Sequence, residues 1–185
     1  MVNSSDILNA SILIVDDEEP NVLLLERTLS GAGYTSIAFT MNPHKVCELY
    51  RKNRYDLILL DLQMPGMDGF QVMEGLKEIE TDGYLPVLVI TAQPGQKLRA
   101  LQAGAKDFVS KPFDLAEVRA RVYNMLEVRL LQMKTKNYSI ALEKLNRDLQ
   151  QLVQAQVREI SDAKLATILA MSKLAERSPS VLSTS

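Results

Sequence analysis

The chain has 185 residues, of which 46% are hydrophobic and 24% charged, with a formal net charge of −2. That balance excludes wholesale disorder, and near-neutral charge without tryptophan gives no support for a strongly basic nucleic-acid surface. A single cysteine, Cys47, excludes an internal disulfide framework and a cysteine-rich zinc site and suits a reducing cytoplasm, and a single histidine, His44, gives little support for a histidine-based metal cluster or a catalytic triad. No run approaches the ~18 apolar residues of a membrane span, and residues 1–10 lack a signal-peptide pattern.

Residues 1–9 are expected to be an N-terminal tail. Ser11-Ile-Leu-Ile-Val15 then reads as a buried strand ending in Asp16 and Asp17. Pro20–Leu29 predicts a helix with proline in its first turn, stopped by Gly31 and Gly33. Ser36–Phe39 gives a second strand and Pro43–Lys52 a second helix. Asp56–Leu60 gives a third strand, leading into Asp61 and the turn-rich Met64-Pro-Gly-Met-Asp-Gly69. Phe70–Ile79, Pro86–Ile90, Gln96–Ala103 and Asp107–Ser110 continue the alternation of helix and strand, and Asp114 caps the helix that follows Pro112. Strands alternating with helices need crossover connections, so the fold class is α/β with a parallel sheet covered on both faces. The strands are continuously apolar, which agrees with burial on both sides.

Composition changes sharply after this region. All eight glycines lie at or before Gly104, and Phe113–Ser178 contains neither Gly nor Pro. Up to Phe113 there are 10 basic and 15 acidic residues, against 11 basic and 8 acidic from Asp114 onward. Helical throughout, Asp114–Arg177 would extend ~95 Å at ~1.5 Å per residue. Tyr138, Leu142, Leu145, Leu149 and Leu152 follow a 4-3-4-3 heptad seam; Leu145, Leu149, Val153, Val157 and Ile160 then run 4-4-4-3, a stutter that locally unwinds a supercoil. The expected partner of this seam is a second copy in a parallel homodimer, and the alternative is a helix folded back on its own domain. Basic and acidic residues are interleaved and no helix-turn-helix is present, so neither direct DNA binding nor membrane binding is expected.

Ligands of an open parallel sheet bind beyond the carboxyl ends of the strands. Asp16, Asp17, Asp61, Thr91 and Lys111 all follow or end strands. Clustered carboxylates repel unless a cation offsets them, and Mg2+ commonly binds one or two carboxylates with a phosphate oxygen. A phosphoryl group on Asp61 would bring negative charge that the metal and Lys111 could neutralise, an aspartyl nucleophile would form an acyl phosphate, and no side chain suits the alternative of a histidine or cysteine nucleophile. Each residue alone has a plainer explanation as a cap, a turn or a solvated side chain; the combination at one rim carries the argument. Met64, Met67 and Met73 are read as loop and core packing, and His44 and Cys47 as non-site residues.

The pieces Ile12–Asp17, Asp56–Gly69, Val89–Ala92 and Gly104–Phe113 together resemble the receiver domain of two-component response regulators, over about the first 125 residues. The resemblance implies a flavodoxin-like (βα)5 fold with strand order 2-1-3-4-5 at residues 10–128. It further implies Asp61 as phosphoacceptor from a sensor histidine kinase, and a metal site for Mg2+ (or Mn2+) made by Asp17, Asp61 and the Gln63 carbonyl, with Asp16 holding a metal-bound water. Lys111 and Thr91 would contact the phosphoryl group, Thr91 and Phe108 would form the switch pair, and Gln63 and Gln93 would tune phosphate lifetime. The Lys111-Pro112 bond is expected to be cis. Val157–Arg177 resembles, more narrowly, the connector preceding the catalytic domain in HD-GYP cyclic-di-GMP phosphodiesterase response regulators. Residues 129–177 are then a coiled-coil connector and 178–185 a disordered tail, with the output domain absent from this chain. No stand-alone enzyme activity is expected beyond self-phosphorylation from phosphodonors and autodephosphorylation. The alternatives are a stand-alone receiver acting through protein–protein contacts, or a metal-dependent phosphohydrolase.

Overall fold

Five short apolar runs align side by side, and their register sets the geometry of everything else. The computed structural model describes residues 2–80, 84–93 and 95–177; the tail expected at 178–185 lies outside them. The strands are β1 (Ser11–Val15), β2 (Ser36–Thr40), β3 (Leu57–Asp61), β4 (Val87–Thr91) and β5 (Asp107–Ser110). They form one parallel sheet of order β2-β1-β3-β4-β5, the flavodoxin-like order expected. The helices are α1 (Ser4–Leu8), α2 (Glu19–Gly31), α3 (Val46–Asn53), α4 (Gly69–Ile79), α5 (Gln96–Ala103) and α6 (Leu115–Arg177), with a 3-10 turn at Pro43–Lys45.

Period-two alternation divides the strand side chains between two cores. Ile12, Ile14, Leu57 and Leu59 face Val22, Leu25 and Leu29 of α2 and Val118, Val122 and Leu126 of α6. Leu13, Val15, Ile58 and Leu60 face Val46 and Tyr50 of α3 and Val72, Met73 and Leu76 of α4. Every residue of β3 and β4 is buried, as two-sided coverage requires. Burial on both sides fails at β2, an edge strand whose Phe39 is 49% exposed.

Other departures from the sequence reading have local causes. The first nine residues contain α1, whose Ile7 is buried in the α2 core and whose Asp6 is paired by Lys134 at 3.0 Å. The second helix begins as a 3-10 turn because the Asn42 side chain accepts from the His44 N–H, and it regains α geometry only at Val46. Asp56 does not open β3; its Oδ2 accepts from the Ser11 N–H at 2.8 Å and hydroxyl at 3.0 Å, tying the starts of β1 and β3 together. Gly33, just beyond α2, has φ of +99°, the left-handed conformation that ends helices.

After Asp114, whose Oδ1 accepts from the Ala116 N–H, α6 runs unbroken for 63 residues. The chain divides into two units at Lys134/Thr135. Burial within α6 extends to Arg129, whose guanidinium donates to the Tyr84 carbonyl, so the first unit reaches past the expected boundary at residue 128. Within the second unit every described residue is exposed. No described helix is long and apolar enough to cross a membrane.

Candidate functional site

Parallel register carries the ends of four strands to one rim. Val15 pairs with Leu60, Asp61 with Ile90 and Thr91 with Ser110, so the next residue along β1 is Asp16 and the next along β5 is Lys111. The Lys111 backbone N–H donates to the Thr91 carbonyl at 2.8 Å, and the Lys111-Pro112 peptide is cis, as the resemblance implied.

The Lys111 ammonium bridges two carboxylates, 2.6 Å from Asp61 Oδ2 and 3.2 Å from Asp16 Oδ2. Both acids are almost wholly buried, while the lysine side chain is 20% exposed. Asp61 Oδ1 accepts from the Gln63 N–H at 3.1 Å. Asp16 Oδ1 accepts from the Glu18 N–H at 2.9 Å, and the Asn21 amide donates to both oxygens of Asp16. Carboxylate oxygens of Asp16, Asp17 and Asp61 lie within 4.8 Å of one another, with Asp17 only partly buried.

Burial pushes the Asp61 carboxyl above its ordinary range; the hydrogen bonds from Lys111 and from the Gln63 N–H oppose the shift, and the Asp16 charge adds to it. Burial lowers the Lys111 ammonium, but its hydrogen bond to Asp61 and the two negative charges outweigh that and leave it raised. One ammonium thus stands against three clustered carboxyl groups. Those donors are all oxygen and one is open to solvent, which fits a small hard cation such as Mg2+ or Mn2+ and leaves room for waters and a phosphate oxygen.

Thr91 is buried at the end of β4, and its hydroxyl is turned to α5: it donates to Gln96 Oε1 at 3.3 Å and accepts from the Gln93 N–H at 3.1 Å. Gln63 and Gln93 both have exposed side chains, each two residues beyond its strand end. Phe108 on β5 is half-buried, with the Lys97 ammonium 4.7 Å and the Arg121 guanidinium carbon 6.0 Å from its ring centroid.

Sequence reasoning missed three contributors. Asn21 lies five residues beyond Asp16, within the first turn of α2, where its amide can turn back to the carboxylate. Gln96 bears the same relation to Thr91, and the five-residue offset from the polar residue at the rim was the available signal. Gly69 opens α4 against the end of β3: a Cβ there would stand 2.7 Å from the Asp61 carbonyl oxygen and 2.9 Å from Leu62 Cα. Only a bare backbone allows that approach.

Comparison with known proteins agrees with this geometry. The family described as response regulator receiver domain matches residues 12–123. The response regulator PleD of Caulobacter vibrioides is 40% identical over 126 residues, 67% of this chain and 28% of PleD. The transcriptional regulatory protein YvrH of Bacillus subtilis is 36% identical over 114 residues, 62% of this chain and 48% of YvrH. The chain therefore spans half or less of these curated relatives. Among solved structures, a response regulator from Chloroflexus aurantiacus superposes with a TM-score of 0.60 at 32% identity, covering 64% of this chain and 98% of that one. The receiver domain of the Pseudomonas aeruginosa sensor histidine kinase PA1611, described with a magnesium ion coordinated in its active-site cleft, gives 0.59 at 27% identity, covering 64% and 97%.

Proposed function

The chain belongs to the response regulator receiver domain family, and from that premise we propose that Asp61 accepts a phosphoryl group from the phosphohistidine of a sensor histidine kinase. The observation that carries the reading is the Lys111 ammonium set between Asp16 and Asp61 in a cluster of three carboxylates. An Asp61 carboxylate oxygen attacks phosphorus, the P–O bond forms as the P–N bond to the donor imidazole breaks, and the imidazole keeps the electron pair and takes a proton. The product is an acyl phosphate on Asp61. Lys111 releases its direct bond to Asp61 and pairs with a phosphoryl oxygen, and the Thr91 hydroxyl donates to another. Asp16, Asp17, Asp61 and the Gln63 carbonyl would hold Mg2+ (or Mn2+), which supplies charge neutralisation for the incoming phosphoryl oxygens. The pocket's work is positioning and electrostatics.

Gln63 and Gln93 border the pocket and set how readily water reaches the acyl phosphate. Thr91 and Phe108 form the switch, in which the hydroxyl follows the phosphoryl oxygen and the ring turns inward. The exposed apolar side chains of α6 support a parallel homodimer through its second half, with seam residues such as Leu142 and Leu149 more than half exposed. That dimer would transmit the switch to an output in a longer protein. The likeness of Val157–Arg177 to the connector described above favours an HD-GYP cyclic-di-GMP phosphodiesterase, and the setting is cytoplasmic.

The test is labelling by acetyl phosphate with Mg2+. Wild-type protein is expected to gain one phosphoryl group per chain and Asp61→Asn none. Undiminished labelling of the variant would place the acceptor elsewhere.

A further inference from the structure

The two switch residues are engaged by consecutive residues of one helix. Gln96 and Lys97 open α5. Gln96 Oε1 accepts the Thr91 hydroxyl proton, while Lys97 stands over the Phe108 ring. The turn between β4 and α5 is closed by its own bonds: the Gln93 N–H donates to Thr91 Oγ1, and the Gln96 N–H donates to the Gln93 carbonyl at 3.2 Å. The Thr91 hydroxyl proton is therefore committed to α5 and must leave Gln96 before it can reach a phosphoryl oxygen on Asp61.

Phe108 is held in a comparable way. A cation over an aromatic face within ~6 Å is attracted by the ring quadrupole. Two cations meet that condition, and they differ in freedom. Arg121 is fixed by Asp107 at 2.5 Å and Glu117 at 2.7 Å, so its charge is already compensated. Among the described residues Lys97 makes no ion pair, and the ring is its charge partner. Turning the ring toward the core would remove it from Lys97.

We propose that Gln96 and Lys97 are positioning residues forming a resting-state clamp on Thr91 and Phe108, which phosphoryl transfer to Asp61 must open. The inference rests on the phosphoacceptor reading and adds to it the residues that oppose activation. Neither side chain touches the reacting atoms. Each stabilises the arrangement in which the hydroxyl and the ring face α5, so removing either should make the phosphorylated arrangement easier to reach.

Beryllofluoride, which stands in for the phosphoryl group on an aspartate, provides the test. Its affinity for the full chain with Mg2+ is measured by calorimetry for wild type, Lys97→Met, Lys97→Arg and Gln96→Ala. Loss of this partly buried cation–π contact is expected to tighten binding about two- to five-fold in Lys97→Met. Loss of the neutral hydrogen bond is expected to tighten it about two- to ten-fold in Gln96→Ala. Lys97→Arg keeps a cation over the ring and is expected to bind as wild type does. In the metal-free protein, carbon-13 labelling of phenylalanine is expected to show the Phe108 ring resonance moving toward its beryllofluoride-bound position in Lys97→Met and staying in place in Lys97→Arg. Binding equal to or weaker than wild type in both Lys97→Met and Gln96→Ala, with wild type binding normally, overturns the clamp and leaves the acceptor reading standing. Wild-type protein that binds no beryllofluoride overturns both.

Discussion

Lys111→Met removes the ammonium that, among the described residues, offsets the carboxylate cluster. Asp16 and Asp61 are 1% and 4% exposed and lie 3.2 and 2.6 Å from the lysine nitrogen. Removing one partner from a buried pair destabilises by about 3–5 kcal/mol. Here Lys111 is 20% exposed, so solvent screens part of the interaction and about 2–4 kcal/mol is the better expectation. For a unit of this size that lowers Tm by roughly 6–20 °C in metal-free buffer at pH 7. Linkage gives the pH dependence its sign. A carboxyl raised above its unfolded value costs stability as pH rises through its folded value, and the penalty vanishes below the unfolded value of about 4. Asp61 is already raised by burial and by Asp16, and losing Lys111 raises it further. The variant's deficit should therefore shrink as pH falls from 7 toward 4. Added Mg2+ should stabilise the variant more than the wild type, because no ammonium competes for the same oxygens. Thermal melts followed by circular dichroism, with EDTA and with Mg2+ at several pH values, measure all three effects. Equal melting of variant and wild type in EDTA at pH 7 would refute the view that Lys111 balances buried charge.

Two further predictions rest on other parts of the molecule. Gly69→Ala drives a methyl group against the Asp61 carbonyl and Leu62; a loss of about 1–3 kcal/mol in denaturant melts should accompany slower labelling by acetyl phosphate, and labelling at the wild-type rate would show that the start of α4 yields freely. In sedimentation, the full chain should be dimeric, while the 1–134 fragment and full-length Leu149→Glu should be monomeric at matched concentration. Dimers in all three would take the association away from the seam.

The sheet and the carboxylate–lysine cluster were legible because they depend on short, periodic signals: β1, α5 and β5 have the bounds that their apolar runs and turn residues predict. The strand order expected from the resemblance held, but burial on both sides did not extend to β2, because exposure at a sheet edge is a tertiary property that Ser36–Thr40 does not itself carry. The N-terminal helix was missed because five residues are too few to show a period, and it is held by Ile7 packing and by Asp6 pairing with a lysine 128 residues away. Asp16, Asp17, Asp61, Thr91 and Lys111 stood out as isolated polar residues closing apolar runs. Asn21 and Gln96 did not, because an amide on a helix is ordinary until the structure turns it toward a strand end. Arg129 had no signal at all; a basic residue in a charged helix gives no hint that it is buried.

The unbroken course of α6 has a consequence for helix nucleation. An isolated helix must first form an unfavourable nucleus, with a weight of about 10⁻³, before propagation can proceed. In this chain the turns from Leu115 to Arg129 are already formed against the sheet, so the residues after Lys134 add to an existing end and need no initiation of their own. A peptide of residues 135–177 loses that template, and its helix content in dilute solution should fall below that of the same residues in the whole protein.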